Sequence, residues 1–254
     1  MMMYQKIVDV VRHGILAAAL LAMPAYVSAA GADVHLDKAP VNLNNQESLQ
    51  RGAKLFVNYC LNCHSANYMR YNRLTDIGLS EEQIRENLLF TAEKVGDTMQ
   101  VAMAKPDAKA WFGVVPPDLT VEARARTADW LYTYLRGFYR DPTRPTGWNN
   151  TVFPNVGMPH ILWELQGQQV MKVEEHVDAN GVKAEAHRLV LDKPGSMTPA
   201  EYDLAIADLV NYMVYMAEPA QMDRKKLGVF VLLFLGLLFV VSYYLKKEFW
   251  KDIH

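Results

Sequence analysis

The stretch Cys60-Leu61-Asn62-Cys63-His64 decides the fold of this chain of 254 residues. It holds both cysteines of the sequence, and a histidine directly follows the second one. Cys-x-x-Cys-His is the attachment motif of a c-type haem. One helical turn presents both thiols to one edge of the porphyrin, and the next residue supplies an iron ligand. The motif predicts one covalently bound haem c, attached through Cys60 and Cys63, with His64 as an axial ligand.

Two other kinds of site use cysteines at this spacing. A thioredoxin-like redox motif needs a βαβ context, which the sequence does not show, and a zinc site needs a second Cys/His pair. The sequence has two cysteines in all, so a disulfide scaffold is excluded as well. A net charge of −2 gives no indication of nucleic-acid binding.

Two apolar segments indicate export and membrane anchoring. Gly14–Ala30 follows a positively charged start and ends in small residues, as a secretory signal does; an uncleaved membrane helix is the alternative. Leu227–Leu245 carries no charged side chain and would be about 28 Å long as a helix, close to the thickness of a bilayer core. The expected layout is a signal at 1–30, an exported domain at 31–223, a transmembrane helix with flanks at 224–246 and a cytoplasmic tail at 247–254.

Apolar periodicity and capping residues predict a mainly α fold with long loops and a small β-hairpin insertion. We expect a helix from Gln46 to the cysteine motif, in which Gly52 permits close helix contact. Further helices are predicted at Ser80–Phe90, Val121–Tyr139 and Thr198–Ala217, loops at 107–120 and 140–157, and a hairpin at 170–191 around Asn180-Gly181.

The second axial ligand is a choice among methionines and histidines. Met158 lies between a glycine and a proline at the end of the long loop, which would rigidify a thioether aimed at the iron. His160 is its rival, and Met99 and Met103 are further candidates. The other methionines fit less well, because one is too close to His64 in sequence and two belong to the apolar stripe of the last domain helix: Met69, Met213 and Met216. Ligation by His and Met fills both axial positions and favours electron transfer over catalysis.

Two arginines, Arg124 and Arg126, follow the Pro116–Asp118 loop. Haem propionates are carboxylates, and a partly buried carboxylate prefers arginine as its partner. We expect at least one of the two to contact a propionate; a solvated helix turn is the alternative. Pro116, Pro117 and Trp130 are the other expected residues of the haem pocket.

Short motifs along most of the exported domain resemble the cytochrome c1 family, the haem subunits of ubiquinol–cytochrome c reductase (cytochrome bc1) complexes, in its bacterial form. They are Arg51-Gly52-Ala53-Lys54-Leu55-Phe56, Tyr71-Asn72-Arg73-Leu74, Trp111-Phe112-Gly113, Pro116-Pro117-Asp118-Leu119-Thr120, Arg124-Ala125-Arg126, Phe153-Pro154, Gly157-Met158-Pro159 and Ala217-Glu218-Pro219. The single proline after Met158, followed by His160, departs from relatives with more prolines there.

The resemblance implies a class I cytochrome c-like haem domain with one C-terminal transmembrane helix, and His64 and Met158 as axial ligands. It implies an electron relay without catalytic chemistry of its own, in the periplasm on the bacterial inner membrane. Cytochrome b and the Rieske iron–sulfur protein are the implied partners in a dimeric membrane complex, with a cytochrome c as acceptor and no nucleic acid.

Two other functions are compatible with a covalent haem. A free-standing anchored cytochrome c would shuttle electrons, but it would usually have a smaller domain and a flexible linker to its anchor. A haem peroxidase would need an open iron position, which Met158 as a second axial ligand opposes.

Overall fold

The computed structural model describes residues 34–101, 103–177 and 183–252, without the side chains of 175–177 and 183–186. The predicted signal segment at 1–30 and the Asn180-Gly181 turn lie outside the described residues. The described helices are α1 (Gln46–Leu55), α2 (Glu81–Asn87), α3 (Lys105–Phe112), α4 (Glu122–Ala125), α5 (Ala128–Arg136), α6 (Trp163–Gln166), α7 (Pro199–Ala217) and α8 (Gln221–Phe249), with a π-helical turn at Phe56–Cys60 and a 3-10 helix at Tyr71–Ile77.

Two small sheets accompany the helices. Strands β1 (Ala66–Arg70) and β2 (Thr98–Met99) pair antiparallel just after the cysteine motif. The second sheet has the order β4-β3-β5-β6, with the members β3 (Phe138–Arg140), β4 (Trp148–Asn150), β5 (Gly167–Val177) and β6 (Lys183–Pro194). Long antiparallel pairing of β5 with β6 confirms the predicted hairpin. The mainly α fold class, with small sheets and a long apolar helix at the end, is confirmed.

The core is organised by the close packing of α1 against α7. A Cβ added to Gly52 would lie 2.0 Å from the Asp208 carbonyl oxygen and 2.7 Å from the Tyr212 Cβ. The two helix backbones can therefore approach only because position 52 has no side chain. Phe56, fully buried one turn later, packs on the Tyr212 ring at 5.5 Å. This contact fixes the direction in which α1 delivers the chain to the cysteine motif.

Both predicted capping boxes are present. The Ser80 hydroxyl caps α2 and pairs with Gln83, and the Thr198 hydroxyl caps α7 and pairs with Glu201. Each box satisfies backbone groups at the helix start that have no partner within the helix. In each box the capping hydroxyl and its Gln or Glu partner lie within four residues of each other. The sequence alone was therefore sufficient to predict where these helices start.

Four sequence predictions of local structure were wrong in part. The helix expected at Ser80–Phe90 ends at Asn87, and the loop expected at 140–157 contains β4. The expected loop at 107–120 begins with α3, which starts with a proline in its first turn and ends at Gly113, whose φ is +76°. The expected helix at Val121–Tyr139 is interrupted between α4 and α5, where Thr127 adopts a φ of +80°, and β3 follows it. The Thr127 hydroxyl caps α5 by accepting from the Trp130 N–H. The Thr127 cap thus favours the start of a second helix at a point where apolar periodicity predicted one continuous helix.

Helix α8 extends the predicted membrane segment at both ends. It has 29 residues, about 44 Å at 1.5 Å per residue, and none of them is buried against the described domain. It is the one helix among the described residues that is long and apolar enough to cross a membrane. Three residues separate it from the end of α7.

Gly52→Ala tests the contact between α1 and α7. The added methyl group collides with backbone atoms that cannot turn away, so unfolding should become easier by about 1–3 kcal/mol or more. Thermal unfolding of the detergent-solubilised chain measures this loss. Gly96→Ala is the matched control, because a Cβ there meets nothing within 4 Å; equal losses in the two variants would contradict the packing account.

Candidate haem site

The cysteine motif borders two adjoining clefts. The larger contains about 1170 Å³ of empty space, and Cys60, His64 and Met158 lie in its walls. The smaller, of about 460 Å³, shares His64 and Met158 and adds Cys63 to its lining. The remaining lining is mostly apolar, as expected for a site that takes a large, flat, mainly apolar group. The structure therefore brings both cysteines, His64 and Met158 to one place.

The His64 ring is held in a defined orientation and tautomer. Its Nδ1 lies 2.7 Å from the Pro117 carbonyl oxygen. A carbonyl can only accept, so Nδ1 carries the proton and donates it, and Nε2 keeps a free lone pair. Burial lowers the pKa of His64, which keeps the ring neutral. A neutral imidazole with its other nitrogen bound to a carbonyl is the usual state of a metal-ligating histidine.

The Pro117 carbonyl is itself fixed by contacts to the segment after the motif. The Leu119 N–H donates to the Ser65 carbonyl at 2.9 Å. The Asp118 carboxylate accepts from the Asn67 N–H at 2.7 Å. The Pro116–Thr120 loop and the motif segment therefore form one hydrogen-bonded unit with His64 between them.

The two thiols lie in surroundings that disfavour the thiolate form. Burial raises the pKa of Cys60 to about 12 and also raises the pKa of Cys63. A catalytic or redox cysteine needs the opposite shift, because the thiolate is the reactive species. The site thus lacks the electrostatics of the thioredoxin-like alternative.

Met158 lines both clefts together with His64, at the end of the long loop. Its Sδ accepts a hydrogen bond from the Tyr134 hydroxyl at 3.4 Å. Burial raises the pKa of Tyr134, so the phenol stays protonated and acts as the donor. The sequence did not predict this polar contact, because Met158 is distant from Tyr134 along the chain.

Two consecutive asparagines shape the loop that leads to Met158. Asn150 is buried; its Nδ2 donates to the Tyr134 carbonyl at 2.7 Å, and its Oδ1 accepts from the Val152 N–H at 2.8 Å. The Asn149 Oδ1 accepts from the Asn155 N–H at 2.8 Å. These side chains replace the backbone pairing that an irregular loop lacks. This role of the two asparagines was not predicted from the sequence, although asparagine is a typical residue of such turns.

His160 lies away from the clefts. Its ring stacks on Phe138 with centroids 4.9 Å apart and meets Trp148 edge-on, and only 2% of the residue is exposed. Burial lowers the pKa of His160 to about 4, so it is neutral at physiological pH. Met99 lines neither cleft, and Met103 lines a separate cavity that borders Cys63 but not His64 or Met158. Met213, buried in the core, reaches the larger cleft.

The two expected arginines separate in the structure. Arg126 lines the larger cleft; its guanidinium lies 5.1 Å from the centre of the Trp130 ring and 3.3 Å from a Glu122 oxygen. Arg124 points instead toward Glu218, with 3.9 Å between charged atoms, and does not line a cleft.

Of the other expected pocket residues, Pro117 and Trp130 border the larger cleft and Pro116 the smaller one. Glu122 also lines the larger cleft and was not predicted.

These features define a class of protein. A buried and a half-buried thiol at haem spacing, together with a histidine and a thioether in the lining of one mainly apolar cleft, match the donor set of a c-type cytochrome that transfers electrons. The residues present fit a haem c.

Comparison with known proteins gives the family. The model of the cytochrome c1 family matches residues 37–253. A curated cytochrome c1 from Allochromatium vinosum is 50% identical over 96% of this chain and 100% of its own length. A protein from Nitrosomonas europaea named as an ammonia monooxygenase gamma subunit is 54% identical over 93% of this chain and 96% of its length. A cytochrome c1 from Rhodospirillum rubrum is 29% identical over 82% of this chain and 83% of its length.

The chain belongs to the cytochrome c1 family. The expected function as the haem electron-transfer subunit of a cytochrome bc1 complex is thereby confirmed. With α8, the family also supports a membrane-anchored protein.

Asn150→Ala tests the organisation of the Met158 loop. The substitution removes one of the two hydrogen bonds to the Tyr134 carbonyl and takes the Asn150 acceptor from the Val152 and Phe153 N–H groups, which should destabilise the chain by about 1–3 kcal/mol. Thermal unfolding of the haem-loaded chain measures the change. Asn87→Ala is the control, since the exposed Asn87 side chain donates one bond to the Gln83 carbonyl; a similar loss there would show that the loop is not specially dependent on Asn150.

Proposed function

We propose that Cys60 and Cys63 hold one haem covalently and that His64 and Met158 are its axial ligands. The observation that carries this proposal is that His64 and Met158 line the same cleft while the His64 Nδ1 is already bound to Pro117. That bond leaves the Nε2 lone pair for a metal. The position of His160 between Phe138 and Trp148 supports Met158 over its rival.

Arg126 is the proposed partner of a haem propionate. It lines the cleft, and its charge is only partly neutralised by Glu122, with which it forms a half-exposed ion pair. The stacked Trp130 ring holds the guanidinium in place through a cation–π contact. Arg124 is engaged with Glu218 and is not part of this proposal.

The bound haem supplies a centre that gains and loses one electron at a time. With His64 and Met158 in the axial positions, no coordination site stays open for a substrate, so the proposed role is a relay without catalytic chemistry of its own. Quinol oxidation then belongs to the partner subunits.

The chain accepts an electron from the Rieske iron–sulfur protein and passes it to a cytochrome c, in a complex that contains cytochrome b and forms a dimer. The exposed apolar side chains of Val114 and Phe153, which border the cleft, give a partner access to its mouth. Lys247 and Lys251 lie in the tail at 247–254, which we place in the cytoplasm. The haem domain at 31–223 is then periplasmic, after removal of the signal at 1–30.

A second assembly is indicated by the name of the Nitrosomonas europaea relative, an ammonia monooxygenase gamma subunit. That name would place a subunit of the same type beside a monooxygenase. Because the haem donor set serves electron transfer in either assembly, the identity of the partners distinguishes the two functions.

Met158→Leu tests the axial ligand. The variant should lose the charge-transfer absorption of Met-ligated ferric haem, and its reduction potential should fall by on the order of 0.1 V, within the ~0.8 V range set by axial ligands. Optical redox titration of the membrane-bound protein measures both. Met216→Leu, a buried methionine outside both clefts, is the control and should keep both properties.

His160→Phe completes this test. It keeps the aromatic stack on Phe138 and removes the rival nitrogen, so the spectrum should stay that of the parent chain. An unchanged spectrum in Met158→Leu together with an altered one in His160→Phe would overturn the assignment of Met158.

Isolation of the complex in mild detergent tests the function. The chain should co-purify with cytochrome b and the Rieske protein, and a haem-stained band should persist at its mass in a denaturing gel, because thioether attachment survives denaturation. Isolation with monooxygenase subunits would support the second assembly. A stable free chain that carries all the electron flow from quinol to cytochrome c would contradict both.

A further inference from the structure

The hydroxyl of Tyr134 is a polar group in an otherwise apolar part of the haem cleft. The residue is 8% exposed, and its hydroxyl donates to the Met158 Sδ at 3.4 Å. A thioether sulfur has no proton to give, so the direction of this bond is unambiguous. A buried hydroxyl could have been satisfied by a backbone carbonyl, but here it is directed at the proposed iron ligand.

The phenol ring is fixed from several sides. Trp130 stacks on it with centroids 4.7 Å apart and an interplanar angle of 12°. Phe138 packs edge-on at 5.1 Å. The backbone carbonyl of Tyr134 is bound to the Asn150 amide, and Asn150 also holds the start of the loop that carries Met158. The donor and the sulfur are therefore positioned by one connected set of contacts.

We infer that Tyr134 is a positioning residue for Met158, which directs the thioether into the cleft and raises the reduction potential of the haem. The inference rests on the proposed role of Met158 as axial ligand. It concerns the electron-transfer function of the same site and assigns no contact between Tyr134 and the iron.

The sign of the effect follows from the chemistry of sulfur. A thioether has two lone pairs, so one can serve a metal while the other accepts a hydrogen bond. Donation by Tyr134 withdraws electron density from the sulfur, which then stabilises the electron-poor ferric state less. The ferrous state is favoured in comparison, and the potential rises. Hydrogen bonding to a ligand is one of the recognised means by which a protein tunes a metal centre.

A purely structural role for the hydroxyl makes a different prediction. If the bond to Met158 only satisfies a buried group, its removal changes the stability of the chain and leaves the potential as it was. The potential is therefore the readout that separates a positioning residue from a packing residue.

Tyr134→Phe in the full-length, haem-loaded chain tests the inference. The ring contacts with Trp130 and Phe138 are retained, and only the donor is removed. The potential should fall by an amount equal to a three- to tenfold change in the electron-transfer equilibrium constant, tenfold being 59 mV for one electron. The Met–iron absorption should remain, shifted in position. An unchanged potential with that absorption intact would overturn the inference.

Tyr132→Phe is the matched control, since Tyr132 lies in the same helix and is equally buried but faces the Arg136 guanidinium at 4.4 Å and borders neither cleft. It should leave the potential unchanged; a fall as large as that in Tyr134→Phe would overturn the inference. A substituted tyrosine, 3,5-difluorotyrosine at position 134, covers the case in which Tyr134→Phe loads haem poorly. Its more acidic phenol is a stronger donor, so the potential should rise, and a fall or no change would overturn the inference.

Failure of the inference and failure of the proposed function look different. If Met158→Leu keeps the Met–iron absorption, Met158 is not the ligand, and the proposal that underlies the inference is wrong. If Met158→Leu loses it while Tyr134→Phe leaves the potential unchanged, Met158 is the ligand and only the role of Tyr134 is wrong.

Discussion

The hydrogen bond from the His64 Nδ1 to the Pro117 carbonyl is the constraint on which the haem site depends. It selects the tautomer, sets the plane of the ring and ties the cysteine motif to a loop more than fifty residues further on. The same loop continues into α4 and thus brings Arg126 to the cleft. A change in the Pro116–Thr120 loop would therefore reach both the metal ligand and the side chain proposed to meet a propionate.

The position of Met158 depends on a second set of contacts. Asn150 joins the carbonyl of Tyr134 to the loop before Met158, and Asn149 closes the same loop through the Asn155 N–H. His64 is held by a backbone carbonyl of the Pro116–Thr120 loop. Met158 is held instead by side chains that come from a helix and a long loop. The two axial candidates are thus positioned by different sets of contacts.

Local patterns carried most of the sequence-based prediction. The attachment motif, the two capping boxes and Gly52 each depend on residues close together in the chain, and their local meaning was clear in advance. The Tyr134–Met158 bond, the burial of His160 between two rings and the separate directions of Arg124 and Arg126 could not be predicted. Each depends on which side chains the finished fold brings together. The break at Thr127 was missed because the apolar periodicity of the sequence continues across it, whereas the helical conformation of the backbone is interrupted there.

The short connection between α7 and α8 has a consequence for how far the haem domain can travel. Three residues span at most about 10 Å, and the Glu218 carboxylate in this connection is bound by Arg224 at 2.6 Å. The base of the domain therefore stays within about 10 Å of the start of its long apolar helix. Such a connection restricts how far the domain can travel between an electron donor and an electron acceptor. Any long-range movement in the relay must be made by the molecules that visit it, and the rate of the relay then depends on their local concentration.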